Sequence, residues 1–396
     1  MARLRRLADG VGGQRGLFRL FYFVHFAALS GFAIFRNVYL EELGMTGWQM
    51  GIVGFVFTIA GVVAQPLWGV VTDWADVGRV VVTVCSVGAG VAVLSYPAGG
   101  ALANPFALVL VGTGLLSVFR APIVPIANAL VLDRGIDYGN VRAFGSIAFG
   151  IGSLGFGVLV ASLGTVFVVY FFALGMFALG AVARGFPASG ADQDEDEPIR
   201  PLALVANPTF VGLLVVAFLV SFVSSGGSAY FALYVRDLGV GDSFTGLAWA
   251  VKTAFEALAF LYVVRLDVSH RHLLVVGCLG AASTALVYAV FPVAPAILAV
   301  QVAGGLGFAT FRLASVNVAH GVAGSRVKST AQTVLSAVGI GAGSAVGQAV
   351  AGRLMDAVGL QRTYLYLAVV GFAAAGVGLV LGRLVGAVEP TESATA

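Results

Sequence analysis

Charge is scarce in this sequence. Only 10% of its 396 residues are charged, where soluble domains average about 25%, so an ordinary soluble domain is excluded. The net charge of +3 is too small to mark a nucleic-acid binder. Lysine occurs only at Lys252 and Lys328, and the other basic residues are arginine, a skew without functional meaning. Cysteine is limited to Cys85 and Cys278, both inside apolar runs, and suggests no disulfide. There is no phosphate-binding loop, metal-ligand cluster or nucleophile constellation; Ser, His and Asp are scattered over different loops and spans. Those absences argue against an enzyme, a resident metal and a cofactor.

What is present is apolar. Hydrophobic residues make up 59% of the chain, and mean hydropathy is +0.98. Apolar runs of membrane length recur without the period-2 alternation of barrel strands, which leaves helices as the spanning structure. The 54 glycines fit, because small residues let membrane helices approach closely. The sequence predicts an all-α membrane protein with twelve spans near 17–40, 46–72, 79–98, 105–132, 140–162, 165–184, 208–235, 243–266, 271–291, 295–320, 326–355 and 362–384. The Arg-rich start (Arg3, Arg5, Arg6) precedes an apolar run too long for a signal peptide, and is read as leading into a retained first helix. An acidic, proline-bounded stretch at 187–207 reads as a solvated linker between an N-terminal bundle, 1–186, and a C-terminal bundle, 208–396. Arginine bias puts both termini and this linker on the cytoplasmic side. Arg79, Arg134, Arg184, Arg271 and Arg326 lie there, against Arg236, Arg353 and Arg362 opposite.

The two halves look related. Tyr39-Leu40-Glu41-Glu42-Leu43-Gly44 after the first span matches Tyr234-Val235-Arg236-Asp237-Leu238-Gly239 after the seventh, and Phe119-Arg120 in the fourth matches Phe311-Arg312 in the tenth. Each cysteine follows six or seven residues after an arginine, Arg79 or Arg271, that opens its span. Parallel six-helix repeats are one plan of membrane transporters, with two pseudo-symmetric bundles and a substrate site at mid-membrane.

Charges inside apolar spans are the candidate chemistry, because each costs at least about 2.5–3.5 kcal/mol near the bilayer centre. Glu256 is the only acidic residue deep in a span, and Lys252 lies four residues before it on the same helix face. Two roles suit the pair, a proton-coupling site and a structural ion pair. Arg120 and Arg312, with Arg36 in the first span, suit bidentate capture of a carboxylate; pairing with backbone carbonyls or snorkelling is the alternative. His25 titrates near neutral pH when unperturbed, or serves simply in packing. Phe26, Phe35, Tyr230 and Phe231 are candidates to flank an apolar substrate body, or packing residues. Gly339, Gly343 and Gly347 in the eleventh span, and Ser146, Gly150, Ser153 and Gly157 in the fifth, are spaced for close helix packing.

Three stretches carry a family resemblance. Gly69-Val70-Val71-Thr72-Asp73-Trp74-Ala75-Asp76-Val77-Gly78-Arg79 resembles the major facilitator superfamily loop signature, with one extra residue and only one basic residue. The resemblance implies a gating role for Asp73, Gly78 and Arg79. Tyr138-Gly139-Asn140-Val141-Arg142-Ala143-Phe144-Gly145-Ser146 is similar to the lactose permease and 3-phenylpropionate permease branch, and Gly352-Arg353-Leu354-Met355-Asp356 with Tyr364 resembles its eleven-to-twelve connection. That branch implies substrate contact by Arg142, Ser146 and Phe149, and coupling by a glutamate on the eighth helix, here Glu256. The chain departs from the branch at two places. Val124 stands near its fourth-helix glutamate, and Gly304, Gly305 and Phe308 stand near its tenth-helix histidine and glutamate. Lactose is therefore not expected.

Together these readings imply a monomeric secondary transporter of a small organic solute, an aromatic or organic acid in preference. Proton symport is expected, with Glu256 taking a proton when a partner arginine, assigned to Arg142, turns to substrate. A sugar or nucleoside symporter, an uncoupled facilitator and a non-transporting receptor of the same fold remain the alternatives.

Overall fold

Among the described residues, twelve helices are long and apolar enough to cross a membrane. The structure is a computed structural model that describes residues 13–75, 78–186, 207–266, 268–322 and 328–385. The spans are α1 (Gly13–Glu42), α2 (Gly47–Ala75), α3 (Gly78–Gly99), α4 (Phe106–Asp133), α5 (Tyr138–Leu163), α6 (Val166–Ala183), α7 (Pro208–Asp237), α8 (Asp242–Tyr262), α9 (His270–Val290), α10 (Ala294–Val322), α11 (Thr330–Val358) and α12 (Leu360–Leu381). No strand occurs among the described residues. The expected linker lies outside the described residues except for Asn207.

Helix starts and stops follow their sequence chemistry. Asp137 caps α5 by accepting from the Asn140 N–H, and Asn207 caps α7 by accepting from the Thr209 N–H at 3.0 Å, with Pro208 as its first residue. Three interruptions were not legible in the periodicity. The helical stretch of α3 breaks at Leu94, α4 breaks after Arg120 at Ala121-Pro122, and α11 carries a π-helical stretch at Leu335–Ala342. Expected to run to 266, α8 instead ends at Tyr262 and passes into a 3₁₀ turn at Val263–Arg265.

The half-repeat is visible in local geometry. After α1, the N–H of Gly44 donates to Glu41 O at 2.8 Å and that of Met45 to Leu40 O at 3.1 Å. After α7, the N–H of Gly239 donates to Arg236 O at 2.9 Å and that of Val240 to Val235 O at 3.1 Å. Both glycines are left-handed, with φ of 78° and 71°, so both helices end in the same Schellman motif. The α5–α6 and α11–α12 joints repeat the correspondence, with Gly164 and Gly359 at φ of 92° and 81°.

The described residues of Met1–Glu195 and Ala229–Ala250 form one compact unit, and those of Asp196–Ser228 and Val251–Ala396 form the other. In the first, Phe18, Phe21, Phe32, Tyr96, Phe172 and Phe186 are fully buried, and Phe32 contacts Phe172 at 4.7 Å. The second is built on Phe210, Leu213, Leu274, Cys278, Phe311 and Leu335. There Gly343 and Gly347 bring α11 so close to α7 that a Cβ on either would meet a Phe218 or Phe222 backbone oxygen at 2.4 or 2.3 Å. The glycine spacing in α11 is therefore a packing device. Both cysteines are buried and free.

Candidate substrate site

The first unit holds the cations of the α5 motif. Arg142, one turn into α5, places its guanidinium carbon 4.1 Å from the centroid of the Phe26 ring of α1. Gly145 leaves the room: a Cβ there would lie 2.6 Å from the Phe26 ring and 2.8 Å from Arg142 Nη1. A cation–π contact is worth about 0.5–2 kcal/mol, enough to orient the guanidinium without a carboxylate. Arg142 Nη1 is buried without a hydrogen-bond partner, a state that costs about 1–3 kcal/mol.

A second ring, Phe57 of α2, receives two guanidiniums. Arg120 lies 4.7 Å and Arg36 5.2 Å from its centroid. Arg36 is buried and donates through Nε to Asn37 Oδ1 at 3.2 Å, and Asn37 in turn donates to Ala229 O at 2.9 Å. Arg120 closes the first helical stretch of α4, where the helix dipole favours a cation. Its Nε is buried and unmet. Neither Arg120 nor Arg142 makes an ion pair among the described residues. The described acidic residues of this unit sit at helix ends, where Glu42 and Asp242 both bind Arg236, at 2.8 and 2.9 Å. Thr165 also donates to Glu42.

His25 is 1% exposed, with Nδ1 unmet; it stacks on Phe21 and meets Phe26 edge-on at 5.0 Å. It lies within electrostatic reach of both Arg120 and Arg142. The structure therefore gathers His25, Arg120 and Arg142, three residues singled out separately in the sequence, and adds Arg36. Ser146 is half-buried one turn beyond Arg142, and Phe149 packs edge-on against Trp249 at 6.1 Å. Of the aromatic candidates, Phe35, Tyr230 and Phe231 are buried, the Tyr230 hydroxyl donating to Gly47 O at 3.1 Å. Phe26 is half-buried and carries the arginine.

Of the loop signature, Gly78 is buried at the start of α3 and Arg79 Nη1 reaches the Phe186 carbonyl at 3.5 Å. Asp73 falls in the last turn of α2, and its side chain lies outside the described residues, as do Asp76 and Val77.

The second unit holds the acid. Lys252 and Glu256 share one face of α8, both half-buried, and Arg312 of α10 is within electrostatic reach of Glu256. Gly305 sets how closely the helices approach: a Cβ there would meet Lys252 O at 2.3 Å and Glu256 N at 2.9 Å. A Cβ on Gly304 would lie 3.9 Å from Lys252 Cε. This gives the departure on α10 a physical reason. Where the resembling branch has side chains on α10, this chain brings in the α8 backbone and the lysine stem.

The signals missed in the sequence were Phe57, one of 29 phenylalanines with nothing to distinguish it, and the Glu256–Arg312 relationship. The arrangement suits anion binding. Among the described residues no three His, Cys, Asp or Glu side chains gather to hold a metal.

Residues 17–366 match the MFS_1 like family. Maltose permease from Geobacillus stearothermophilus is 29% identical over 372 residues, covering 91% of this chain and 92% of that protein. The protein named probable 3-phenylpropionic acid transporter from Escherichia coli (strain K12) is 26% identical over 355 residues, covering 85% and 90%. The crystal structure of the nucleoside transporter NupG superposes with a TM-score of 0.79 over 94% of this chain and 98% of that one; at 14% identity this likeness is one of fold.

Proposed function

Because this chain belongs to the MFS_1 like family of major facilitator superfamily transporters, we propose that it carries a small organic anion, an aromatic acid in preference, by alternating access with proton symport. It is a multi-pass membrane protein and a transporter. One observation carries the anion reading: Arg142 and Arg120 each stack on a phenylalanine, each leaves a buried N–H unmet, and neither is ion-paired among the described residues. A carboxylate suits a guanidinium bidentately and would satisfy what the protein leaves open. The relative named as a 3-phenylpropionic acid transporter supports this choice.

Glu256 is the proposed coupling acid, with Lys252 and Arg312 as the cations that act on it and His25 as the second titratable group. Ser146 and Phe149 are proposed to line the substrate path, and Asp73, Gly78 and Arg79 to take part in gating. The proposed organisation is six helices in 1–186 and six in 208–396, joined by 187–207, monomeric in the cytoplasmic membrane with both termini inside. A sugar is the second reading, favoured by the maltose permease relative.

Uptake of labelled carboxylic acids and maltose into proteoliposomes, with and without an inward proton gradient, tests the proposal. Gradient-dependent accumulation of an acid is expected. Accumulation of maltose with no uptake of any acid would overturn it.

A further inference from the structure

The end of α7 and the start of α8 follow the first six spans in sequence, yet residues 229–250 pack into the same compact unit as α1 to α6. Asn37 of α1 donates to Ala229 O at 2.9 Å, and the Tyr230 hydroxyl donates to Gly47 O at 3.1 Å. Gly157 of α5 and Gly246 of α8 cross backbone to backbone. A Cβ on Gly157 would lie 3.0 Å from Asp242 O, and one on Gly246 3.1 Å from Gly157 Cα. At the rim, one guanidinium joins three helix–helix joints. Arg236 Nε and Nη2 each donate to Asp242 at 2.9 Å across the α7–α8 joint, and Nη1 donates to Glu42, at the end of α1, at 2.8 Å. Glu42 also accepts from Thr165, at the α5–α6 joint.

The half-repeat explains why these ends attract. Arg236 and Asp237 stand at the repeat positions of Glu41 and Glu42, on helix ends of the same geometry. One change of sign, Glu41 against Arg236, turns two ends that would repel into partners. The contact is close in geometry and weak in energy. The Arg236 and Glu42 side chains are 30% and 44% exposed, so water can replace either partner. The glycine crossing beneath offers no side chain to interlock.

We infer that Arg236, Glu42, Asp242 and Thr165 form a latch that holds residues 229–250 against α1 and α5 in one state of the transport cycle and releases them in the other. Asp242 is a positioning residue: its two bonds aim the planar fork and leave Nη1 for Glu42. The latch lies on the side of the α1–α2 and α7–α8 joints, opposite the α2–α3 joint that carries Asp73, Gly78 and Arg79. It rests on the alternating-access part of the reading above and is independent of the substrate.

The test is hydrogen–deuterium exchange of the purified, detergent-solubilised full chain without solute, read over residues 36–50 and 229–250. Glu42→Gln and Arg236→Lys are each expected to speed exchange in both segments together, roughly two- to fivefold, the size of a half-exposed ion pair. Arg236→Lys keeps the charge and loses the fork. The double variant should exchange no faster than the faster single variant, because both remove one interaction. Glu42→Cys with Arg236→Cys, bridged by a short, reducible bifunctional thiol reagent, guards against lost folding. Bridging is expected to restore slow exchange in both segments, and reduction to release it. Faster exchange confined to the substituted segment would overturn the latch, as would exchange unchanged in every variant. Fast exchange that bridging leaves unaltered would overturn it too. Each of these results is obtained without solute, so the latch can fail while the anion reading stands, and the reverse.

Discussion

The guanidinium carbon of Arg142 lies 4.1 Å from the centre of the Phe26 ring, and Gly145 is the residue that lets them meet. A Cβ at 145 would press on the far ends of two side chains, both able to move. Gly145→Ala is therefore expected to change the thermal unfolding midpoint by no more than a few degrees while weakening binding of the proposed acid substrate severalfold. Thermal scans and titration on the same preparation check it; unchanged affinity would detach Arg142 from the site.

Gly305→Ala makes the opposite case. The added carbon would meet backbone, Lys252 O at 2.3 Å, which cannot rotate away. Overpacking of this kind costs about 1–3 kcal/mol. The expected outcome is a midpoint lower by several degrees, measured by fluorescence-detected thermal unfolding in detergent.

The matching helix ends make matching predictions. Gly44 and Gly239 have positive φ, where an L-residue costs about 1–2 kcal/mol. Gly44→Ala and Gly239→Ala should each lower stability by a similar amount, and the double variant should show nearly additive loss. A large effect at one position and none at the other would break the local correspondence of the halves.

Glu256→Gln keeps the shape of the side chain and removes its proton exchange. Downhill exchange of solute is expected to survive, and accumulation driven by a pH gradient to disappear. Counterflow and gradient-driven uptake in the same proteoliposomes separate the two. If the variant still concentrates solute, Glu256 is structural and His25 becomes the coupling candidate.

Much of this was legible in the sequence, for identifiable reasons. The spans read directly because each is a long apolar run, and the Gly44 and Gly239 motifs read because positive φ has a residue preference. Arg142 stood out through the resemblance of the Tyr138–Ser146 stretch to a known permease branch. Its ring partner was only one of four aromatic candidates, because choosing Phe26 over Phe35 needs the α1–α5 packing that Gly145 creates. Phe57 was not legible: a phenylalanine in an apolar span looks the same whether it faces lipid, core or cation. Arg312 was paired in the sequence with Arg120 by repeat position, while its electrostatic neighbour is Glu256, 56 positions away in the chain. The break after Arg120 is explained by Pro122, but the arginine's place at the end of that helical stretch appears only in the structure.

The central claim is that arginine, without an ion pair among the described residues, reads the charge of the substrate. The most direct measurement is titration calorimetry of the purified chain with the best-transported acid and with its uncharged primary amide, in wild type and Arg142→Gln. Tight binding of the acid, at least about tenfold weaker binding of the amide, and loss of that difference in Arg142→Gln are predicted. An amide that binds wild type as well as the acid would contradict the account.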